Sequence, residues 1–206
     1  TRRKLWVLLG PPGSGKGTYG ALMQKHFQLH HVSTGDEFRR RRLDPKLKTD
    51  MDQGCLLPDS MVQEVLRDCL QQCPQNARAV LLDGYPRSVA QAESLEELGD
   101  VELVLRIQLA DRHIVAKLRG RRECQRCGRK YNLADVNDPE DNVFMPSILP
   151  PGVDDGASTS DALHCSSGGL LSIRADDATE TAERRLQEYR AVAPPIEEFF
   201  QRQGTL

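Results

Sequence analysis

Residues 5 to 20 read LWVLLGPPGSGKGTYG. An apolar run enters a loop of glycines and prolines, the loop ends in Lys16 and Thr18, and a helix-compatible stretch follows. The spacing is GxxxxGK from Gly10 to Lys16, with Gly17 and Thr18 next, which between a strand and a helix is a phosphate-binding P-loop. Glycines are needed because the backbone N–H groups of Gly13, Ser14, Gly15, Lys16 and Gly17 converge on one anion only where no side chain intrudes. The loop also opens a helix, whose N-terminal partial charge attracts the same anion. Lys16 supplies a full positive charge to β- and γ-phosphates, and the Thr18 hydroxyl stands where it reaches a phosphate or its Mg²⁺. A plain Gly/Pro turn with an incidental lysine leaves this joint match of strand, loop, lysine and hydroxyl unexplained.

Composition bounds what surrounds the loop. The chain has 206 residues, 38% hydrophobic and 28% charged, enough for one domain with a sizeable core and inserted lobes. A formal net charge of -2 gives no support for wholesale nucleic-acid or membrane binding, and no apolar run nears the ~18 residues of a spanning helix. Apolar runs at 5–9, 79–82 and 101–109 read as strands, while 17–27, 59–72, 88–97, 111–119 and 177–192 carry helical spacing. This alternation predicts an α/β fold with a parallel sheet flanked by helices. Residues 134–161 break the rhythm with seven Asp/Glu, four Pro and no Lys or Arg, which predicts a mobile inserted loop. Cys55, Cys69 and Cys73 are scattered, Cys69 on an apolar helix face with Val62, Val65, Leu66 and Leu70. They read as reduced thiols of an intracellular protein, with the cytoplasm the expected compartment. Cys124 and Cys127 form a CxxC before Gly128, closer to a zinc knuckle than to a disulfide. No signal peptide is visible, and a chain beginning with Thr1 reads as a fragment or processed form.

Two further stretches say what the P-loop serves. STGDEFR at 33–39 and DGYPRSVAQA at 83–92, the second directly after the strand AVLL, follow it in an order and spacing that resembles the adenylate kinase family of nucleoside monophosphate kinases, in its long-lid form. The resemblance extends over nearly the whole chain. It implies a P-loop kinase with a parallel sheet, one domain over 1–206, an AMP-binding lobe near 33–62 and a lid near 120–177. The implied reaction moves a phosphoryl group reversibly from MgATP to AMP. Carried over by motif, Thr34 and Arg39 meet the AMP base and phosphate, Cys55, Leu56 and Leu57 of GCLLPD close on the sugar and base, Gly84, Tyr85 and Arg87 hold the AMP phosphate side, and Gln91 reads the adenine edge. Asp83 orients the waters around Mg²⁺. In KLRGRRECQRCGRKY, Arg121 and Tyr131 face ATP; in LLSIRADDATETAERRL, Arg174 and Arg185 stabilise the transferring group and the acceptor phosphate. Lys16, Arg87, Arg121, Arg174 and Arg185 make up the implied catalytic set. Phosphoryl transfer needs alignment of two polyanions and cancellation of their repulsion, and the planar fork of arginine holds two phosphate oxygens at once. The lid arginines are expected to gain partners only when the donor is present. Of the run Arg39 to Arg42 only Arg39 fits the motif, and the other three read as a solvated face.

Three departures accompany the resemblance. Lys117 stands where the family commonly has an arginine stacked on the donor adenine, and Arg119 lies off the matched position. The lid is long, with 36 residues between Cys127 and His164, and FFQRQGTL ends the sequence where the family continues into a strand and a helix. The first and last imply strict AMP selectivity beside a loose donor preference. Matching back from Leu171 and Arg174 puts His164 and Ser167 at a second ligand pair, with Cys165 adjoining. Structural zinc at Cys124, Cys127 and Cys165, His164 or both is one reading; a metal-free lid held by polar hydrogen bonds is the other. The remaining expectations are Mg²⁺ as cofactor, ATP and AMP as partners, no nucleic acid, no membrane and a monomer. A UMP or CMP kinase, or a nucleotide-binding regulatory module with little activity, fits the same loop. Thr34 and Gln91 favour adenine over the first, and the full set of phosphate-facing cations favours an enzyme over the second.

Overall fold

The strands that carry the loop are short and apolar on both faces. β1 (Lys4–Leu9) buries five of its six residues and β3 (Val80–Asp83) buries all four. Such runs belong in the interior of a parallel sheet covered on both sides. In the computed structural model, which describes residues 2–41, 43–153 and 163–206, they pair in a four-stranded sheet of order β2–β3–β1–β4. Here β2 is His30–Ser33 and β4 is Asp100–Arg106. All pairings are parallel, with Val7 opposite both Leu82 and Val104. The connections are helical: α1 (Lys16–Phe27) after β1, then α2 (Thr34–Arg40), α3 (Pro45–Asp52) and α4 (Asp59–Gln72) between β2 and β3, and α5 (Val89–Leu98) before β4. Because β1 and β3 are parallel neighbours, the loops that follow them leave the same end of the sheet, where ligands of such sheets bind.

The predicted α/β fold is found, with differences of detail. β2 escapes the apolar pattern because only Val32 of its four residues is buried. The last helix, α7 (Thr179–Arg202), continues past the predicted end at 192 and through Pro194 and Pro195. Proline removes a backbone donor. The apolar spacing nevertheless continues beyond it, and Ala193, Ile196 and Phe200 are all buried, which offsets the lost bonds. The α4 face of Val62, Val65, Leu66 and Cys69 packs into the same core as Leu5, Val7, Val80 and Leu82.

The described residues fall into two compact units, one of residues up to 108 together with 185–206, the other of 109–184. The first holds the parallel sheet and includes the stretch 33–62. The second holds α6 (Asp111–Gly120), an antiparallel sheet of order β6–β5–β9, and a hairpin. β5 is Arg121–Cys124, β6 Lys130–Asn132 and β9 Leu171–Ser172, and the hairpin joins β7 (Val136–Asp138) to β8 (Val143–Met145).

That hairpin corrects the expected mobile loop at 134–161. Residues 154–161 of that expectation, and Arg42 of the solvated face, lie outside the described residues. The rest of the segment is held by α6. Lys117 is 5% exposed, and its Nζ donates to the carbonyl oxygens of Ala134 at 2.7 Å, Met145 at 2.5 Å and Pro146 at 2.9 Å. Burial pulls the ammonium pKa below the usual lysine value, and the three carbonyls stand in for lost water. One turn earlier Arg112 bridges Asp138 at 2.8 Å and Asp141 at 2.7 Å, while buried His113 meets Asp141 at 2.9 Å. Lys117 is therefore an internal pin, and its ammonium is committed to backbone.

Replacing Lys117 with Met takes the ammonium away from three backbone carbonyls, at about 1–3 kcal/mol for each one that water does not reach. We expect a loss of about 3 kcal/mol in urea unfolding for the whole site. Lys117→Arg should destabilise as well, because a planar fork does not offer three donors from a single nitrogen. A Lys117→Met protein as stable as the parent would show that other contacts hold the hairpin.

Candidate active site

The P-loop leaves β1 at Gly10 and adopts left-handed backbone at Gly13 and Gly15, with φ of 82° and 88°. Only glycine takes such angles without strain. A Cβ on Gly10 would come within 2.8 Å of Ser14 Oγ. Ser14 is fully buried, and its hydroxyl has no partner among the described residues. Gly15 is the N-cap of α1 and provides no side-chain cap. The first-turn N–H groups of α1 thus carry the positive end of the helix dipole without a capping side chain. Lys16 Nζ donates to the carbonyls of Gly10 at 2.8 Å and Pro11 at 2.9 Å, which folds the cation back across the loop. Thr18 is exposed on the first turn.

Asp83 ends β3 beside this loop. Burial raises its carboxyl, but His31, whose Nε2 lies 3.6 Å away, and the charge of Lys16 outweigh that and hold the pKa below the usual aspartate value. Asp83 is therefore ionised at neutral pH.

Of the residues expected on the acceptor side, Gly84, Tyr85 and Arg87 lie in the loop after β3 and Gln91 in the first turn of α5. Arg87 Nε donates to the Gly84 carbonyl at 2.8 Å, and Arg87 N donates to Gln91 Oε1 at 2.7 Å. The other end of the Gln91 amide donates to Asp59 Oδ1 at 2.5 Å, and Gln91 N donates to Ser88 Oγ, the cap of α5. Gln91 was expected at a base edge. Instead it is 5% exposed with both ends of its amide engaged, a clasp that joins the Arg87 loop, α5 and the start of α4. Buried Tyr85 is fixed similarly, its hydroxyl bonded to Gln91 O and Ser94 Oγ. Thr34 is buried and donates to the Asp83 carbonyl at 3.3 Å. Gly84, with φ of 84°, lies against both groups: a Cβ there would sit 2.8 Å from Thr34 Oγ1 and 3.4 Å from an Arg87 nitrogen. Arg39 pairs with Asp36 at 2.6 Å within α2.

A cavity of about 430 Å³ brings part of this set together, while Thr34, Arg39, Asp83 and Gln91 are not in its lining. Lys16, Cys55, Leu56, Gly84, Tyr85 and Arg87 line it together with Arg185 of α7, whereas Leu57 packs against the core. Three cations from three elements and a largely aliphatic wall suit an anionic group attached to a flat apolar body. Glu188, Tyr189 and Val192 also line it, and sequence reasoning missed them. Their signal was the spacing from Arg185, three, four and seven residues on, which is one helix face. Burial and the charge of Glu197 push the Tyr189 hydroxyl up to about 12.

In the second unit Arg121 makes a two-pronged pair with the fully buried carboxylate of Asp177. Arg174 pairs with Asp176 through Nε at 2.9 Å and a terminal nitrogen at 2.6 Å. Arg121 and Arg174, expected to gain partners only with the donor, thus have carboxylate partners already.

Tyr131, expected beside the donor, is 4% exposed and packs with Cys124, Cys165 and Leu171. Its hydroxyl donates to Cys165 Sγ at 3.0 Å, which withdraws it from a nucleotide. The sulfurs of Cys124, Cys127 and Cys165 lie within 4.8 Å of one another. The Ser167 hydroxyl is 3.4 Å from both Cys124 and Cys127. His164 does not join this group: it is exposed and pairs through its backbone with Leu170. Neighbours in extended chain point to opposite sides, so Cys165 facing the cluster turns His164 away. The Ser167 side chain and backbone, then the Tyr131 hydroxyl, pull the Cys165 thiol down to about 5.

The family model described as Adenylate kinase matches residues 8–205. The chain is 36% identical to "Probable adenylate kinase 6, chloroplastic" of Arabidopsis thaliana, across 98% of this chain and 67% of that one. It is 36% identical to "Adenylate kinase" of Caldicellulosiruptor bescii, across 97% and 88%. Identity to "Adenylate kinase" of Methanothrix thermoacetophila is 35%, across 97% and 87%.

Gln91→Ala would cut the Arg87 loop loose from α4 and α5 without touching a cation. We expect KM for the acceptor nucleotide to rise roughly tenfold, about 1.4 kcal/mol, with kcat changing less. An unchanged KM would mean that Arg87 is positioned without the clasp.

Proposed function

We propose roles for these residues from one premise: the chain belongs to the adenylate kinase family and carries out ATP-dependent phosphoryl transfer to AMP, using Mg²⁺ with the ATP. The observation that carries the roles is the convergence of Lys16, Arg87 and Arg185 on one cavity. The amides from Gly13 to Gly17 and the Lys16 ammonium hold the β- and γ-phosphates of ATP. A phosphate there also gives the buried Ser14 hydroxyl the partner it lacks among the described residues. Asp83, ionised and near Lys16, fits a role in ordering water on Mg²⁺, with Thr18 on the same helix turn. When bound, Mg²⁺ neutralises phosphate charge.

Arg87 and Arg185 hold the AMP phosphate, and Arg39 adds charge after releasing Asp36. Cys55 and Leu56 form the apolar wall against which sugar and base lie, with Leu57 and Tyr85 as backing. Gly84 is part of the cavity wall with Thr34 packed behind it, and Gln91 acts through Arg87. Arg121 and Arg174 exchange Asp177 and Asp176 for nucleotide phosphates as charge shifts in the transfer. No side chain forms a covalent intermediate; the protein aligns the two nucleotides and cancels their repulsion. In this reading 33–62 forms the AMP lobe and 120–177 the lid. A monomer is the proposed active form. No helix among the described residues is long and apolar enough to cross a membrane. The name of the Arabidopsis relative, a chloroplastic protein, weighs against assuming the cytoplasm.

Lys16→Met and Arg87→Ala test the core of the proposal. Each should lower kcat by about 10³-fold or more, since a charge stabiliser in phosphoryl transfer is worth about 10³–10⁵. In the same coupled assay AMP should far exceed UMP, CMP and GMP as acceptor. With Lys117 pinned to backbone no cation from that position reads the donor base, so GTP, UTP and CTP should act within roughly tenfold of ATP. Near-parental turnover in either variant, or a pyrimidine nucleotide as the better acceptor, refutes the assignment.

The cysteine cluster fits structural zinc. Three thiols within 4.8 Å match the soft ligands of a tetrahedral site, and Ser167, a poor ligand, adjoins them. We propose that Cys124, Cys127 and Cys165 hold the ion without His164 and that it braces β5, β6 and β9. Protein purified without chelator should contain about one zinc per chain and lose it in Cys165→Ser. Metal-free protein with an unchanged melting temperature after zinc addition would leave the polar lid as the correct reading.

A further inference from the structure

We infer that Cys127 and Cys165 are a site of oxidative modification, joined into a disulfide by hydroperoxides. Their sulfurs are 3.6 Å apart, close to contact, although 37 residues separate them in sequence. Two tight turns set that approach. In the first, Gly128 N bonds to Cys124 O at 2.9 Å; in the second, Cys165 N bonds to Gly169 O at 2.9 Å and Gly168 N to Cys165 O at 2.7 Å. Arg126 donates to Ser167 O at 2.6 Å and Arg129 to Ser166 Oγ at 3.0 Å, so the turns are fastened to each other independently of the sulfurs. The thiols therefore stay opposed in the reduced protein. Closing to a bond of about 2.05 Å asks only for side-chain movement of roughly an ångström or two.

Exposure assigns the order of events. Cys127 is exposed and Cys165 is buried, so a peroxide meets Cys127 first. Cys124 is 2% exposed and screened by the second turn, where a Cβ on Gly169 would lie 2.5 Å from its sulfur. Hydrogen peroxide transfers an oxygen to the Cys127 sulfur, giving a sulfenic acid and one water. The Cys165 sulfur attacks it, the S–S bond forms, and the hydroxide leaves and becomes a second water by combining with the proton that Cys165 has given up to solvent. Two thiols lose two electrons and the peroxide O–O bond is reduced to two waters. The product ties the strand pair β5–β6 to the turn before β9. It leaves Cys124 as the one remaining thiol of the cluster, so oxidation and the proposed zinc compete for the same sulfurs. The pairing itself rests on the sulfur geometry of the metal-free cluster and does not depend on the zinc reading.

The test uses the full chain, reduced and treated with chelator, then exposed to a small molar excess of hydrogen peroxide, alkylated and digested without reductant. Mass spectrometry should find the Cys127–Cys165 linked peptide within one chain. Titratable thiols in denaturant should fall from the six of the sequence by two, and dithiothreitol should restore them. Cys124→Ser should keep the linkage, and Cys127→Ser should lose it. Retention of all six thiols, a dominant Cys124–Cys127 bridge, or links mainly between chains would overturn the proposal. The parental peptide map decides the question even if a variant fails to fold.

Discussion

The cations of this protein must be held in place before any nucleotide arrives, and each is held by an acceptor of its own chain. Lys16 leans on the carbonyls of Gly10 and Pro11, Arg87 on Gly84, Arg121 on Asp177 and Arg174 on Asp176. An unpaired charge at a partly buried position is costly, whereas a hydrogen bond to a charged group is worth about 1.5–3 kcal/mol. A phosphate that displaces such an acceptor replaces one charge-assisted contact with another. On the proposed roles, the cation is held both before and after the exchange.

The same constraint explains why the sheet matters. A parallel sheet with β1 and β3 as buried neighbours delivers two loops to one end, the first giving amides and Lys16, the second Asp83 and Arg87. Both strands are nearly all apolar, so a register slip would expose Val7, Leu82 and their neighbours. The core thus fixes the spacing between the two polar loops.

Much of this was legible in the chain. Glycine needs and strand hydrophobicity are local, so the P-loop, β1, β3 and the α4 face could be read from residue types alone. What escaped depends on partners distant in sequence. The acidic insert read as a mobile loop because Arg112, His113 and Lys117, which bind it, lie on the helix before it and not within it. Gln91 read as a base contact because nothing in its neighbourhood shows that Asp59 and the Arg87 amide take both ends of its amide. β2 was missed because two of its four residues are histidines, one of which packs on Gly20 and faces Asp83.

The cysteine cluster carries the same lesson into chemistry. Motif matching placed ligands by position along the chain and could not choose between His164 and Cys165, while strand alternation admits only one of them to the cluster. Once Cys165 is inside, the separation of the sulfurs admits two outcomes. Zinc–sulfur bonds of about 2.3 Å in a tetrahedron place sulfurs about 3.8 Å apart. Two opposed thiols at 3.6 Å are near that value and also one side-chain adjustment from a disulfide. The turns at Gly128 and Gly168 fix this distance through backbone bonds, so the fold supplies the geometry and the surroundings decide whether metal or oxidant uses it.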